Sequence, residues 1–347
     1  MFTTAASSPR RLHAIDAARG VALIGMIIVN VGPVTADTVL QRVWLAPYGR
    51  ASVLFVVVAG ISISLLLRPG TARRRWLVVG WRSAILIPAG LLLALLPHGV
   101  NVILTLYGVL FLVALAVHRL PSWVLLVIIG VFAVIGPLLF VGESLDHLGE
   151  PRPVLEWSGD PLALLHILFV SRPYPLVVWI VPFLVGMLIG RIDLRSRKTQ
   201  WVMIVAGGIA AVGGVGLSEL FGALWGTPDV GYGLLLTGAP HGQMPLWLIS
   251  SIGSAALVLG LLLRFTDGSS PVITPLVIAG QTALTLYVLH LLLLAALRPD
   301  AGFAFPQGVA ISLFVIAVCI GGAMLWRRQF TVGPLEWALR GRWLERA

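Results

Sequence analysis

Apolar runs of about 20 residues recur along the whole of this chain, and few folds can accommodate them. A helix rises 1.5 Å per residue, so each run matches the roughly 30 Å hydrocarbon core of a bilayer. That core holds no water to satisfy backbone amides and carbonyls, so the runs must be helices. Composition agrees: over 347 residues, 58% are hydrophobic and 11% charged, against about a quarter charged in ordinary globular chains. The single cysteine, Cys319, excludes an internal disulfide framework and any cysteine-rich metal site. The basic start followed by an apolar stretch to Val31 has no small-residue cleavage signal, and it reads as a first span rather than a leader.

The fold class expected is an all-α integral membrane protein of about ten transmembrane helices, forming one polytopic domain over 1–347. The spans fall near 15–33, 50–68, 75–96, 100–118, 121–141, 173–190, 200–222, 244–264, 275–297 and 306–326. The longest connection, 142–172, carries an acidic stretch and then Leu162–Val170, an apolar piece too short to span. The tail 329–347, with Trp337 and Trp343 among arginines, reads as an interfacial helix. Basic residues set the orientation. With the tail 1–14 in the cytoplasm, eighteen of the 24 Lys+Arg residues fall on the cytoplasmic side. Five (Arg42, Arg50, Arg152, Arg172, Arg298) fall outside, and Arg82 lies within a span. Both termini are then cytoplasmic. Glu143, Asp146, Glu150, Glu156 and Asp160 gather in the outer loop. The net charge of +10 is thus a topology signal and gives no support to nucleic-acid binding.

An ionisable residue at membrane depth is costly and marks a functional or pairing site. Two groups stand out. On the cytoplasmic side, Asp16 and Arg19 share a helix face, and Arg82 sits about two turns into the third span. Asp16 can pair with either arginine as a helix lock, or the arginines can hold an anionic ligand such as a nucleotide cofactor's phosphates. Towards the outer face lie Asn30, His98 in Pro97-His98-Gly99, His241 in Pro240-His241-Gly242, and His290, three residues after Tyr287. These are candidates for a general base and its orienting partner; helix–helix hydrogen bonding is the plainer reading of each. No metal is expected, because no His-x-x-x-His or His-Glu pair occurs. Gly186 to Gly190 and Ala206-Gly207-Gly208 suit close helix packing.

The opening Leu12-His13-Ala14-Ile15-Asp16-Ala17-Ala18-Arg19-Gly20, followed by Ile28-Val29-Asn30-Val31-Gly32, resembles the start of the heparan-α-glucosaminide N-acetyltransferase-like and YeiB-like membrane proteins. Similar segments follow in order: Gly49-Arg50-Ala51-Ser52, Trp81-Arg82-Ser83, Tyr107-Gly108-Val109-Leu110-Phe111, Pro173-Tyr174-Pro175, Leu286-Tyr287-Val288-Leu289-His290 and Gly333-Pro334-Leu335-Glu336-Trp337. The resemblance implies a transmembrane acyltransferase of the bacterial plasma membrane. Acyl-coenzyme A, acetyl-coenzyme A first, would be the co-substrate, and an extracytoplasmic glycan or lipid the acceptor. It also implies that Asp16, Arg19 and Arg82 serve the coenzyme A side, and Asn30 and His290 the reaction end. The family's proposed catalytic histidine lies in the outer loop after span one. Here that loop, Gly32 to Gly49, has none, so His98, His241 or His290 would have to take the role.

Two other functions fit the same residues: a small-solute or lipid transporter or flippase using them as a relay, and a non-catalytic membrane scaffold. Homo-oligomerisation stays open. A continuous cavity connecting Arg82 to His98 and His290 would support acyl transfer, and a tightly packed core with no opening would argue against it.

Overall fold

The computed structural model describes residues 12–35, 37–68, 71–146, 160–171, 173–266, 270–299 and 302–341. The charges at Arg10, Arg11, Arg152, Arg172, Arg342 and Arg346, the loop residues His147, Glu150 and Glu156, and Trp343 lie outside them. Among the described residues every regular element is helical. In chain order these are α1 (His13–Val31), α2 (Val39–Trp44), α3 (Ala51–Leu67), α4 (Ala72–Ala94), α5 (Leu104–Val117), α6 (Ser122–Asp146) and α7 (Pro161–Val170). Then come α8 (Leu176–Ile189), α9 (Arg197–Trp225), a 3-10 turn at Tyr232–Leu236, α10 (Pro245–Phe265), α11 (Ile273–Gln281), α12 (Ala283–Leu297), α13 (Phe305–Gln329) and α14 (Pro334–Arg340).

Each of the ten expected spans falls on a helix or a helix pair. Among the described residues, six helices (α1, α4, α6, α9, α10, α13) are long and apolar enough to cross a membrane, and a seventh span is available if α11 and α12 count together. The chain is a multi-pass integral membrane protein. The outer ring carries its greasy faces outwards: Trp201, Val205, Ile209 and Val212 on α9, and Trp123, Leu126, Val131 and Val134 on α6 are exposed. Such a surface is stable against lipid tails and not against water.

Inside this ring sit shorter helices. α3 has 17 residues, and α5 and α8 have 14 each, so α5 and α8 rise only about 21 Å. α8 is apolar and buried on nearly every face, as befits a helix with neighbours all round. α3 and α8 touch backbone to backbone: a Cβ on Gly186 would sit 2.1 Å from the Val57 carbonyl oxygen, and one on Gly60 2.2 Å from that of Phe183. The small residues therefore serve packing, as at Gly207 against Leu257, whereas Gly208 faces open space. Because the central helices stop short, irregular backbone lies between their ends and the long outer helices. Such backbone is tolerated there because it lines cavities.

The run expected to form one span at 275–297 departs from that reading. It is two helices, α11 and α12, bent by 86°. Two contacts account for the bend. Gly280 packs so closely on α1 that a Cβ there would lie 1.7 Å from the Asp16 carbonyl oxygen, which fixes the course of α11. Thr282 closes α11 by donating its backbone N–H and its hydroxyl back to Ile278, and it makes no side-chain cap for α12. The first turn of α12 is capped instead by Glu336: its carboxylate accepts the Thr285 N–H at 2.9 Å and the Thr285 hydroxyl at 2.6 Å. In the tail, Pro334 and Trp337 of α14 are exposed and its other residues are half-buried, and Trp81 Nε1 donates to the Ala338 carbonyl at 2.9 Å.

Candidate functional site

Residues of α1, α3, α4, α5, α12 and α14 enclose a cavity of about 290 Å³. Phe55, Ala59 and Ser62 reach it from one face of α3, and Leu104, Tyr107 and Phe111 from one face of α5, each set at helical spacing. Three guanidiniums (Arg19, Arg82, Arg340) and one carboxylate, Glu336, line its wall. Three guanidiniums against one carboxylate, whose oxygens accept from Thr285, leave the cavity wall net positive.

The partner of Asp16, left open by the sequence, is Arg19. The buried Asp16 accepts Arg19 Nη1 at 2.8 Å on Oδ1 and Gln281 Nε2 at 3.2 Å on Oδ2. Arg19 turns its other amino group to the Ser62 hydroxyl. Arg82 lies in the same cavity, and its Nε is buried without a partner among the described residues. One arginine is therefore locked by a carboxylate, while the other lines the cavity with its buried Nε unpartnered among the described residues.

Tyr287 ends this cavity and also borders a small one of about 20 Å³, room for about one water. Asn30, Asn101, Tyr174 and His241 border the small cavity too, and all four also line a third, larger cavity of about 650 Å³. Three neighbouring cavities therefore share wall residues: Tyr287 borders the first and the small one, and Asn30, Asn101, Tyr174 and His241 border the small one and the large one.

Asn30 lines the large cavity, and His290 stands behind it. Asn30 Nδ2 donates to His290 Nε2 at 3.0 Å. The imidazole is fully buried, and its Nδ1 meets no hydrogen-bond partner among the described residues. His290 therefore acts on the cavity through Asn30. Arg298 braces this corner: its Nη1 donates to the carbonyls of Asn30 at 3.2 Å, His98 at 3.3 Å and Gly99 at 3.4 Å.

His98 is committed to its turn. Nε2 donates to the Leu93 carbonyl at 2.8 Å, and Nδ1 accepts the Val100 N–H at 3.0 Å. Burial holds its pKa below the ordinary histidine value; the Leu93 carbonyl opposes this and the nearby Arg298 adds to it. Both ring nitrogens are occupied, and the buried ring does not line the large cavity.

His241 is placed differently. Its backbone is left-handed, φ 54°, and its ring sits among four aromatic side chains. The centroid distances are 5.3 Å to Tyr48, 6.1 Å to Trp179, 6.2 Å to Trp247 and 6.3 Å to Tyr174. Burial lowers its pKa to about 4, so the imidazole is neutral near pH 7. It borders both the small and the large cavity.

The structure therefore brings Asn30 and His241 to the large cavity, with His290 behind Asn30, and Arg19 and Arg82 to the arginine-lined one, with Asp16 behind Arg19. His98 stays in its turn. The sequence reading missed Arg298, which it used only as an outer charge, and it assigned no site role to Glu336, Tyr107, Tyr174 and Tyr287. The signal available for them was their presence in the family-like segments.

Residues 11–216 match a family model described as heparan-alpha-glucosaminide N-acetyltransferase, catalytic. Residues 187–344 match a second, described as a protein of unknown function, DUF418. No curated protein matches the chain.

Proposed function

The chain belongs to the heparan-alpha-glucosaminide N-acetyltransferase catalytic family, and on that premise we propose that it carries an acyl group, acetyl first, from cytosolic acyl-coenzyme A to a hydroxyl or amine of an extracytoplasmic carbohydrate or envelope acceptor. The observation that supports this reading is a pair of cavities, one arginine-lined and one lined by asparagine and histidine, that each share wall residues with a third, small one bordered by Tyr287. In this reading the chain crosses the membrane ten times with both ends cytoplasmic, so the arginines meet the phosphates of the donor. The acceptor enters the large cavity, where the amide of Asn30, steadied by His290, hydrogen-bonds its O–H or N–H. Attack on the thioester carbonyl forms the new C–O or C–N bond and breaks C–S. The acceptor's proton passes to the neutral imidazole of His241 and then to the departing thiolate.

The missing loop histidine supports this assignment of His241. The loop that lacks it, Gly32 to Gly49, ends in Tyr48 against the His241 ring and Gly49 against the His241 backbone. A different loop thus delivers an imidazole to the cavity beside the first one.

The test is reconstitution in proteoliposomes with tagged acyl-coenzyme A outside and candidate glycans inside. Transfer that requires the protein and falls in Asn30→Ala and His241→Asn is the expected result. Absence of acyl-coenzyme A binding and turnover in purified protein would sink the reading. One observation favours a second reading: helices broken in mid-span, like α11–α12, build substrate sites in transporters. Solute uptake without any acyl donor would support that alternative.

A further inference from the structure

We propose that Tyr107 and Tyr287 form the oxyanion site of the transfer, donating their phenolic hydrogens to the thioester carbonyl of the donor; the inference rests on the acyl-transfer reading. Tyr107 is 6% exposed, yet no group among the described residues lies within hydrogen-bonding distance of its hydroxyl. A buried polar group left unpaired costs about 1–3 kcal/mol, and a buried tyrosine hydroxyl usually finds a partner. Tyr107 is among the residues that line the arginine cavity. Tyr287 lines it as well; its oxygen accepts the Ile103 N–H at 3.3 Å, while no described acceptor meets its own hydrogen. Two donors without acceptors therefore border one cavity.

Their position along that cavity fits the role. The Tyr107 ring packs on Phe55 at 5.6 Å between centroids, while Arg19 bonds Ser62. Phe55 and Ser62 are seven residues apart on α3, about 10 Å along the axis. The guanidiniums thus hold one end of the cavity and the phenols the other. Tyr287 also borders the small cavity shared with Asn30 and His241. A donor held by its phosphates would present its carbonyl between the arginines and the incoming acceptor.

The chemistry balances without another reagent. As the acceptor atom bonds to the carbonyl carbon, the C=O π pair moves to oxygen, and the two O–H groups stabilise the negative charge. Collapse of the intermediate restores C=O and expels the thiolate; the tyrosines keep their protons throughout.

Tyr107→Phe is the test, because it keeps the ring packing and removes only the hydroxyl. The full-length protein in proteoliposomes would be assayed with acetyl-coenzyme A carrying ¹³C at the carbonyl. We expect kcat to fall by about 10²-fold, as for removal of one oxyanion donor, with donor affinity unchanged and the melting temperature unchanged or raised. The bound ¹³C=O infrared band, lowered in frequency by hydrogen bonding in the wild type, should move back up. An unaltered kcat, or an unaltered band despite a lower kcat, overturns the proposal. Wild-type protein that binds and turns over acetyl-coenzyme A while Tyr107→Phe behaves identically defeats only the oxyanion assignment. Wild-type protein that does neither defeats the acyl-transfer reading and this inference with it.

Discussion

His241 gives the molecule an acid-sensitive point whose size can be worked out. Among four aromatic rings it protonates only at about 4, whereas an ordinary histidine does so at 6.5. Burial alone is the cause: a charged imidazolium would lose its hydration and gain no carboxylate in return. The unfolded chain takes up the proton as the pH drops through about 6.5; the folded chain refuses it until about 4. Stability is therefore flat above about pH 6.5, declines between about 6.5 and about 4, and levels off below. At about 1.4 kcal/mol per tenfold change in proton affinity, the decline amounts to about 3 kcal/mol. The assay is the melting temperature of detergent-purified protein across that range, in wild type and His241→Asn. Asparagine tolerates the left-handed backbone at this position and does not titrate. It loses the ring contacts, so its absolute stability drops, but the acid slope assigned to His241 should vanish. His98, also held below its ordinary value, keeps its own slope in both proteins and cancels. Equal slopes in the two proteins would refute the reasoning. If the imidazole also serves as the base, transfer in the wild type should hold constant above about pH 5 and fall below it.

Three further outcomes follow from the same geometry. Arg82→Ala should weaken acetyl-coenzyme A binding by at least about tenfold, in line with about 1.5–3 kcal/mol for a charge-assisted hydrogen bond; calorimetry at rising salt should show the difference shrinking. Gly280→Ala places a Cβ within 1.7 Å of the Asp16 carbonyl oxygen, so α1 and α11 must separate; a drop of about 1–3 kcal/mol or more, read as a lower melting temperature, is expected. Glu336→Ala leaves the Thr285 amide of α12 without its cap and should cost about 1–3 kcal/mol, while Glu336→Gln, which keeps one acceptor oxygen, should melt near wild type.

What the sequence displayed and what it concealed have physical reasons. Helices crossing lipid must be long and apolar, so their positions were legible from hydropathy alone, down to the small residues where α3 meets α8. The break at Thr282 was not, because the apolar run continues through it. Hydropathy records that a residue avoids water and carries no information about the direction of the backbone. That direction is set by Gly280 against Asp16 and by Glu336, both remote in sequence from the part of the helix they fix. Depth was legible too: Asn30 and His290 were expected at a similar level, yet only the packing shows Asn30 bonded to His290 across 260 residues. His98 shows the converse. Its Pro-His-Gly setting announced a turn, and the turn itself occupies both ring nitrogens, so a histidine at the right depth is used up by local structure. The same distinction separates Arg19 from Arg82. Sequence places Arg19 at the inner end of the first span and Arg82 within the third; in the structure Asp16 engages the first, while the second lines the cavity. The functional weight of a buried polar group therefore lies in the hydrogen bonds its surroundings leave unmade, and Tyr107, an ordinary aromatic in an apolar run, becomes informative only once its neighbours are known.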